Sequence, residues 1–131
     1  MIVLDEQLLG HSLEREIAQW YHGDVCFITE LRPHTVIKDD AIPGLLQQEK
    51  QPTFVTINVR DFWRKVAINP RFCVVCFALP DWRASEISAA LRSLFQRPGL
   101  KTKKDRMGKV VRVSDHGISY YSFADTHVQT F

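Results

Sequence analysis

The chain has 131 residues, of which 45% are hydrophobic and 24% charged, with three cysteines and a formal net charge of +2. That size suits one domain and is too small for two well-cored ones, and the composition excludes a disordered, collagenous or disulfide-stapled chain. No apolar run approaches the roughly 20 residues that span a bilayer, and MIVLDEQ lacks the features of a signal peptide, so with few cysteines a cytoplasmic protein without a membrane partner is expected.

Residues 1–5 (MIVLD) predict a short buried strand ending in an acid. Leu9, Leu13, Ile17, Trp20 and Tyr21 recur at spacings of three and four, the apolar face of a helix. Its start is open: Asp5 or Glu6 would cap an early one and Ser12 a late one. Val25–Ile28 is the next strand, closed by Glu30 and Pro33. Lys38–Pro43 predicts a helix start with Asp40 as cap, because proline is tolerated in a first turn. Thr53–Ile57 is β-rich, and a short helix or turn is expected around Phe62–Val66. Phe72–Leu79 has no polar residue and predicts a central strand covered on both faces. Ser85 and Glu86 open a helix that Pro98-Gly99 ends. Lys109–Val113 and Ile118–Phe123 flank Asp115-His116-Gly117 as an appended β-hairpin. The alternation of strands and helices predicts an α/β fold with a mostly parallel sheet and a C-terminal β-hairpin. One domain, 1–131, is expected, with an α/β core over 1–98 and a basic loop plus hairpin over 99–131.

Charge is uneven along the chain. Residues 1–59 hold four Lys/Arg and nine Asp/Glu, a balance of −5, while 60–131 hold thirteen and six, a balance of +7. Solvated faces alone would produce this; so would an acidic metal site beside a polyanion-binding surface. In an open parallel sheet, sites form at the carboxyl ends of the strands. Asp5 ends the first strand, Asn58 follows the third with Asp61 three residues on, and Asp39 and Asp40 open the helix before it. Converging carboxylates repel unless a cation lies between them, and oxygen-only ligands favour Mg²⁺ or Mn²⁺. For Asn58 and Asp61 to share a face, the chain must leave the strand near Asn58. Each acid also has a plain structural role open to it, as a helix cap or as a surface partner of Arg60 or Arg64.

Thr56-Ile57-Asn58-Val59-Arg60-Asp61-Phe62 resembles the Thr-x-Asn-x-x-Asp-Phe stretch of PIN-domain nucleases, especially the VapC and FitB toxin group. Ile2–Glu6 resembles the first strand of shorter PIN-like relatives, and Asp39–Ile42 the acid at the start of the helix before the Thr-x-Asn strand. The resemblance spans roughly residues 1–80. It implies an α/β/α sandwich and an Mg²⁺- or Mn²⁺-dependent ribonuclease, the toxin of a toxin–antitoxin pair, with an antitoxin partner and a homodimer. Asp5, Asp39 or Asp40, and Asp61 would hold metal, and Asn58 would be a neutral ligand or would orient water. The choice between Asp39 and Asp40 is open. A further acid of many PIN nucleases has no clear counterpart here unless Glu6 or Glu30 serves. A non-catalytic module binding nucleic acid or protein is the alternative.

Arg60, Arg64 and Lys65 adjoin these acids, and Lys101, Lys103 and Lys104 belong to a basic run through Arg106; both sets are expected to track RNA phosphates. Trp63, Trp82, Tyr120 and Tyr121 are candidates for stacking on bases. Cys73-Val74-Val75-Cys76 matches a zinc spacing, but residues three apart in a strand face opposite ways, so buried thiols are expected. The five histidines show no ligand spacing.

Overall fold

A computed structural model describes residues 1–131. Seven strands form one sheet in the order β2-β1-β3-β4-β5-β6-β7. β1 (Ile2–Leu4), β2 (Val25–Phe27), β3 (Thr53–Thr56), β4 (Cys73–Phe77) and β5 (Lys109–Ser114) are parallel. β6 (Gly117–Ser122) and β7 (Gln129–Thr130) continue the sheet antiparallel. The helices are α1 (Leu13–Ala18), α2 (Ile28–Leu31), α3 (Ile42–Gln47), α4 (Val59–Phe62), α5 (Ile87–Leu94) and α6 (Lys103–Arg106).

Strand alternation divides the core in two. Ile2, Leu4, Val55, Val75 and Val111 pack with Leu13 and Ile17 of α1 and Ile87, Leu91 and Leu94 of α5. Val3, Phe54, Val74, Cys76 and Val110 pack with Ile28, Leu45, Leu46 and Phe62, from α2, α3 and α4. β4 is buried at every position between β3 and β5, as its unbroken apolar sequence predicts.

Direction and face together fix the hand of each crossover. β1 to β2 steps one way with α1 on the first face, while β2 to β3 and β3 to β4 step the other way with α2, α3 and α4 on the second. These three share one hand, as a common rule for parallel crossovers requires. β4 to β5 steps as β3 to β4 does but carries α5 on the first face, so its hand is opposite. There α5 packs beside α1, and Trp20 Nε1 donates to Ser88 Oγ at 3.0 Å.

Of the two starts left open for the first helix, the late one at Ser12 is found, though the Ser12 side chain makes no capping hydrogen bond. Several other local expectations are corrected. A 3-10 turn over Glu6–Leu8 comes first, and Gly10 and Ser12 both take positive φ, which breaks the periodic run and leaves Leu9 exposed. β2 ends at Phe27 because the Glu30 carboxylate accepts the Phe27 N–H at 2.6 Å and turns the chain into α2. Asp40 is not a cap: Asp39–Ala41 form a 3-10 turn, and α3 starts at Ile42 with Pro43 in its first turn. α4 starts at Val59, earlier than the apolar pattern suggests. Ser85 and Glu86 lie in a 3-10 turn (Asp81–Glu86) that leads into α5. The hairpin is not appended, since β5 pairs directly with β4.

Candidate functional site

The loops after β1 and β3 leave toward opposite faces of the sheet, α1 on one and α4 on the other. This divergence of adjacent strands opens a crevice at their carboxyl ends, the place where open α/β sheets bind ligands. Asp5 lies there, only 4% exposed. The Thr56 hydroxyl at the end of β3 donates to Asp5 Oδ2 at 2.6 Å and accepts the Asn58 N–H at 2.9 Å. One buried hydroxyl thus fixes the carboxylate and turns the chain out of the strand. The Asn58 side chain then caps α4: its Oδ1 accepts the Asp61 N–H at 3.2 Å, and its Nδ2 donates to Asp61 Oδ2 at 2.9 Å. Asn58 and Asp61 therefore share one face of a helix start, as the spacing requires.

Asp39 faces this group from the turn before α3. Its carboxyl pKa is raised, first by desolvation and then by the charge and hydrogen bonding of Asp61, with Glu6 and Asp40 adding to the repulsion. Asp5 is also raised, by burial first; the Thr56 hydrogen bond opposes this and the charge of Asp39 reinforces it. Asp39 is thus the acid coupled to both Asp5 and Asp61. Asp39, Asp40, Asp61 and Lys65 line a hollow of about 420 Å³, whose walls do not include Asp5. Glu6 stands close enough to repel Asp39, whereas Glu30 is engaged by the Phe27 backbone. No three histidine, cysteine, aspartate or glutamate side chains are grouped closely enough to hold a metal ion as they stand.

The cations divide. Lys65 lines the acidic hollow, and Arg60 is exposed in the first turn of α4. Arg64 is engaged elsewhere: it donates to the Thr126 carbonyl at 2.9 Å and lies over the Tyr121 ring. Lys101, Lys103 and Lys104 lie just before β5, at the amino ends of the parallel strands, away from the acids. Arg106, from the same basic run, is buried. Trp63 and Tyr121 pack together, with the Tyr121 hydroxyl donating to the Trp63 carbonyl, and Tyr120 packs on Phe131. Of the four stacking candidates, Trp82 alone is widely open, at 80% exposure.

Cys73 and Cys76 belong to opposite faces of the sheet, and burial pushes both thiols up to about 12, so neither is a ready thiolate. His11 reaches Asp81 and His127 reaches Asp125, each an isolated pair. Thr56 is the residue whose role sequence reading missed; its signal was a hydroxyl at the end of a buried strand, beside a strand that ends in an acid.

Fold and crevice define an α/β protein with a mostly parallel sheet and a buried acid, Asp5, at its topological switch point. No family model matches the chain, and no curated protein or solved structure matches it either.

Proposed function

We propose that the chain is a PIN-like ribonuclease with that family's α/β/α sandwich, hydrolysing RNA phosphodiesters with Mg²⁺ or Mn²⁺, and that it is the cytoplasmic toxin of a toxin–antitoxin pair. A homodimer and an antitoxin partner belong to the same reading. The observation that carries it is the linked set Asp5–Thr56–Asn58–Asp61 at the switch point, with Asp39 coupled to both acids. The donor set is carboxylate and amide oxygen without sulfur or imidazole, which fits a hard divalent cation. Asp5, Asp39 and Asp61 would hold it, with Asp40 or Glu6 adding negative charge. When bound, such an ion supplies charge stabilisation at the phosphoryl oxygens and acidifies a water.

The chain's own contribution is positioning. Thr56 holds Asp5 in one orientation, so the carboxylate does not have to be ordered when ligand arrives. Asn58 does the same for Asp61. Lys65, which lines the hollow with Asp39 and Asp61, offers a cation for a substrate phosphate. The test is cleavage of a structured-RNA panel with Mn²⁺ or Mg²⁺, with EDTA, and with an identically prepared Asp5→Asn variant. Loss of cleavage with both EDTA and the substitution is expected; cleavage that survives Asp5→Asn would reject the site.

One observation favours a second reading, a non-catalytic PIN-like module that binds nucleic acid or a protein partner. The Asn58–Asp61 pair is fully accounted for as a helix cap, and the acids are not gathered into a ligand group. Folded protein that takes up no Mn²⁺ would select this reading.

A further inference from the structure

At the other end of the parallel strands lies a second cleft, of about 470 Å³, within the size range of small-molecule sites. One wall is aromatic: Trp20, Tyr21 and Phe95 meet edge-on or tilted, with centroids 6.0 to 6.4 Å apart. Lys101, Lys103 and Arg106 supply cations to the rest of the lining, beside His22 and Gly23. Arg106 is 4% exposed, and its guanidinium lies on the Phe95 ring at 3.9 Å. Nη1 donates to the Leu100 and Lys101 carbonyls at 2.9 and 3.1 Å. Nε is sealed in without any partner, and Nη2 has none either but is not sealed. None of the three cations takes part in an ion pair. The sealed Nε is out of a ligand's reach, so Nη2 is the donor left open to an acceptor in the cleft, and a guanidinium is a planar donor of the kind suited to phosphate.

We propose that this cleft binds a nucleoside monophosphate group, its phosphate on Arg106, Lys101 and Lys103 and its base against the Trp20–Tyr21–Phe95 wall. The group would come from a free nucleotide or from the 5′ end of an RNA. Charge and stacking act together here, as in other sites that hold a single base with its phosphate. The cleft is at the amino edge of the sheet and the acids are at the carboxyl edge, so the inference stands whether or not the acidic site cuts RNA.

The test is ¹⁵N–¹H NMR of the full chain in EDTA, following the Trp20 indole signal, assigned by Trp20→Phe. The probes are AMP, adenosine, inorganic phosphate, and one short RNA with either a 5′-phosphate or a 5′-hydroxyl. AMP, the 5′-phosphorylated RNA, or both are expected to shift the signal, and which of them does so identifies the source. Lys101→Glu/Lys103→Glu, at two exposed positions and with the fold checked by the remaining amide signals, should weaken binding at least tenfold, and Arg106→Lys should also weaken it. Asp5→Asn should leave it unchanged. The inference is overturned if neither phosphorylated probe binds, if the double variant binds undiminished, or if adenosine or inorganic phosphate alone binds as tightly as AMP.

Discussion

The two ends of the parallel strands are built from the same sheet but carry opposite chemistry. At the carboxyl edge, Asp39 feels the charge of Asp61 and Asp5 feels that of Asp39, while a hydroxyl holds Asp5 and an amide holds Asp61, without the three acids forming a ligand group as they stand. At the amino edge, a single loop and helix bring Lys101, Lys103 and Arg106 against three aromatic rings. The acidic end depends on contacts distant in sequence, such as Asp5 with Thr56; the basic end arises mostly from one local run. Burial first and mutual repulsion second raise Asp5 and Asp39, and a bound cation, as the proposed function requires, would relieve both. The lopsided charge of the sequence thus gathers acids in the hollow at one edge and cations in the cleft at the other, with opposite charges such as Lys65 and Asp24 near each.

The sharpest way to break this comparison is to remove the charge at its centre. Asp5→Asn keeps the shape and an acceptor for the Thr56 hydroxyl. Metal-dependent RNA cleavage should fall more than about 100-fold, beyond the roughly 10–100-fold typical of residues that only orient a ligand. Mn²⁺ should raise the melting temperature of the native chain and leave that of the variant unmoved, because only a ligand of the folded state stabilises it. Paired cleavage assays and melts check both.

Thr56→Val comes next. It deletes the hydroxyl that serves both Asp5 and the Asn58 N–H. An acceptor left unpaired in a buried site costs about 1–3 kcal/mol, so urea denaturation at neutral pH should show a loss of that size. Activity should fall by roughly 10–100-fold, as for other residues that hold a ligand in place. Thr56→Ser, which restores the hydroxyl, should recover most of both. A Val variant with full activity would show that Asp5 needs no positioning.

Much of this arrangement was legible where the chemistry is local. The exit of the chain from the strand near Asn58 follows from the spacing of Asn58 and Asp61, although the apolar pattern places the helix it starts only around Phe62–Val66 and gives no sign of the capping role of Asn58; β4 reads correctly because nothing in Cys73–Phe77 is polar. Periodicity tells that a helix has an apolar side, not which face of a sheet receives it; α5 therefore gave no sign of its opposite-handed crossover. The left-handed backbone at Gly10 and Ser12 ended a run whose spacing continued unbroken. Arg106 looked like one more member of a basic run, because its burial comes from Phe95, eleven positions away, and from carbonyls that only the folded loop presents. Asp39 and Asp40 were indistinguishable until the turn at 39–41 set which of them is coupled to Asp5 and Asp61.

The pH dependence of stability separates the poles in a gentler way. Asp5 and Asp39 have raised pKa values in the folded protein, so the folded state holds protons that the unfolded state has already released. Between the ordinary aspartate value of about 3.9 and the raised folded values, stability contributed by these groups falls as pH rises, and the deficit persists above that window. Exposed Glu86, Asp115 and Asp125 are lowered by their partners and act in the opposite sense, so the informative quantity is a difference. In EDTA, the Asp5→Asn variant should have a higher urea midpoint than the native chain at pH 7, and that advantage should vanish near pH 3.5. An advantage that grows on acidification would mean Asp5 is stabilised by its site rather than strained by it.

The smallest effect expected sorts the lysines. Lys65 lines the acidic hollow, while Lys104 lies beside Glu49 and Arg71 in a separate depression near the start of β4. If the scissile strand runs over the carboxyl edge, Lys65→Ala should weaken RNA binding a fewfold whatever the sequence and lower the salt slope of binding by about one ion. Lys104→Ala should change neither binding at that edge nor its salt slope. Nitrocellulose binding of Asp5→Asn protein to RNA between low and moderate salt reads both without interference from cleavage. Equal slopes for the two variants, each one below the native chain, would mean that RNA wraps both edges of the sheet. The two poles would then be parts of a single binding path, with the acids at one point along it.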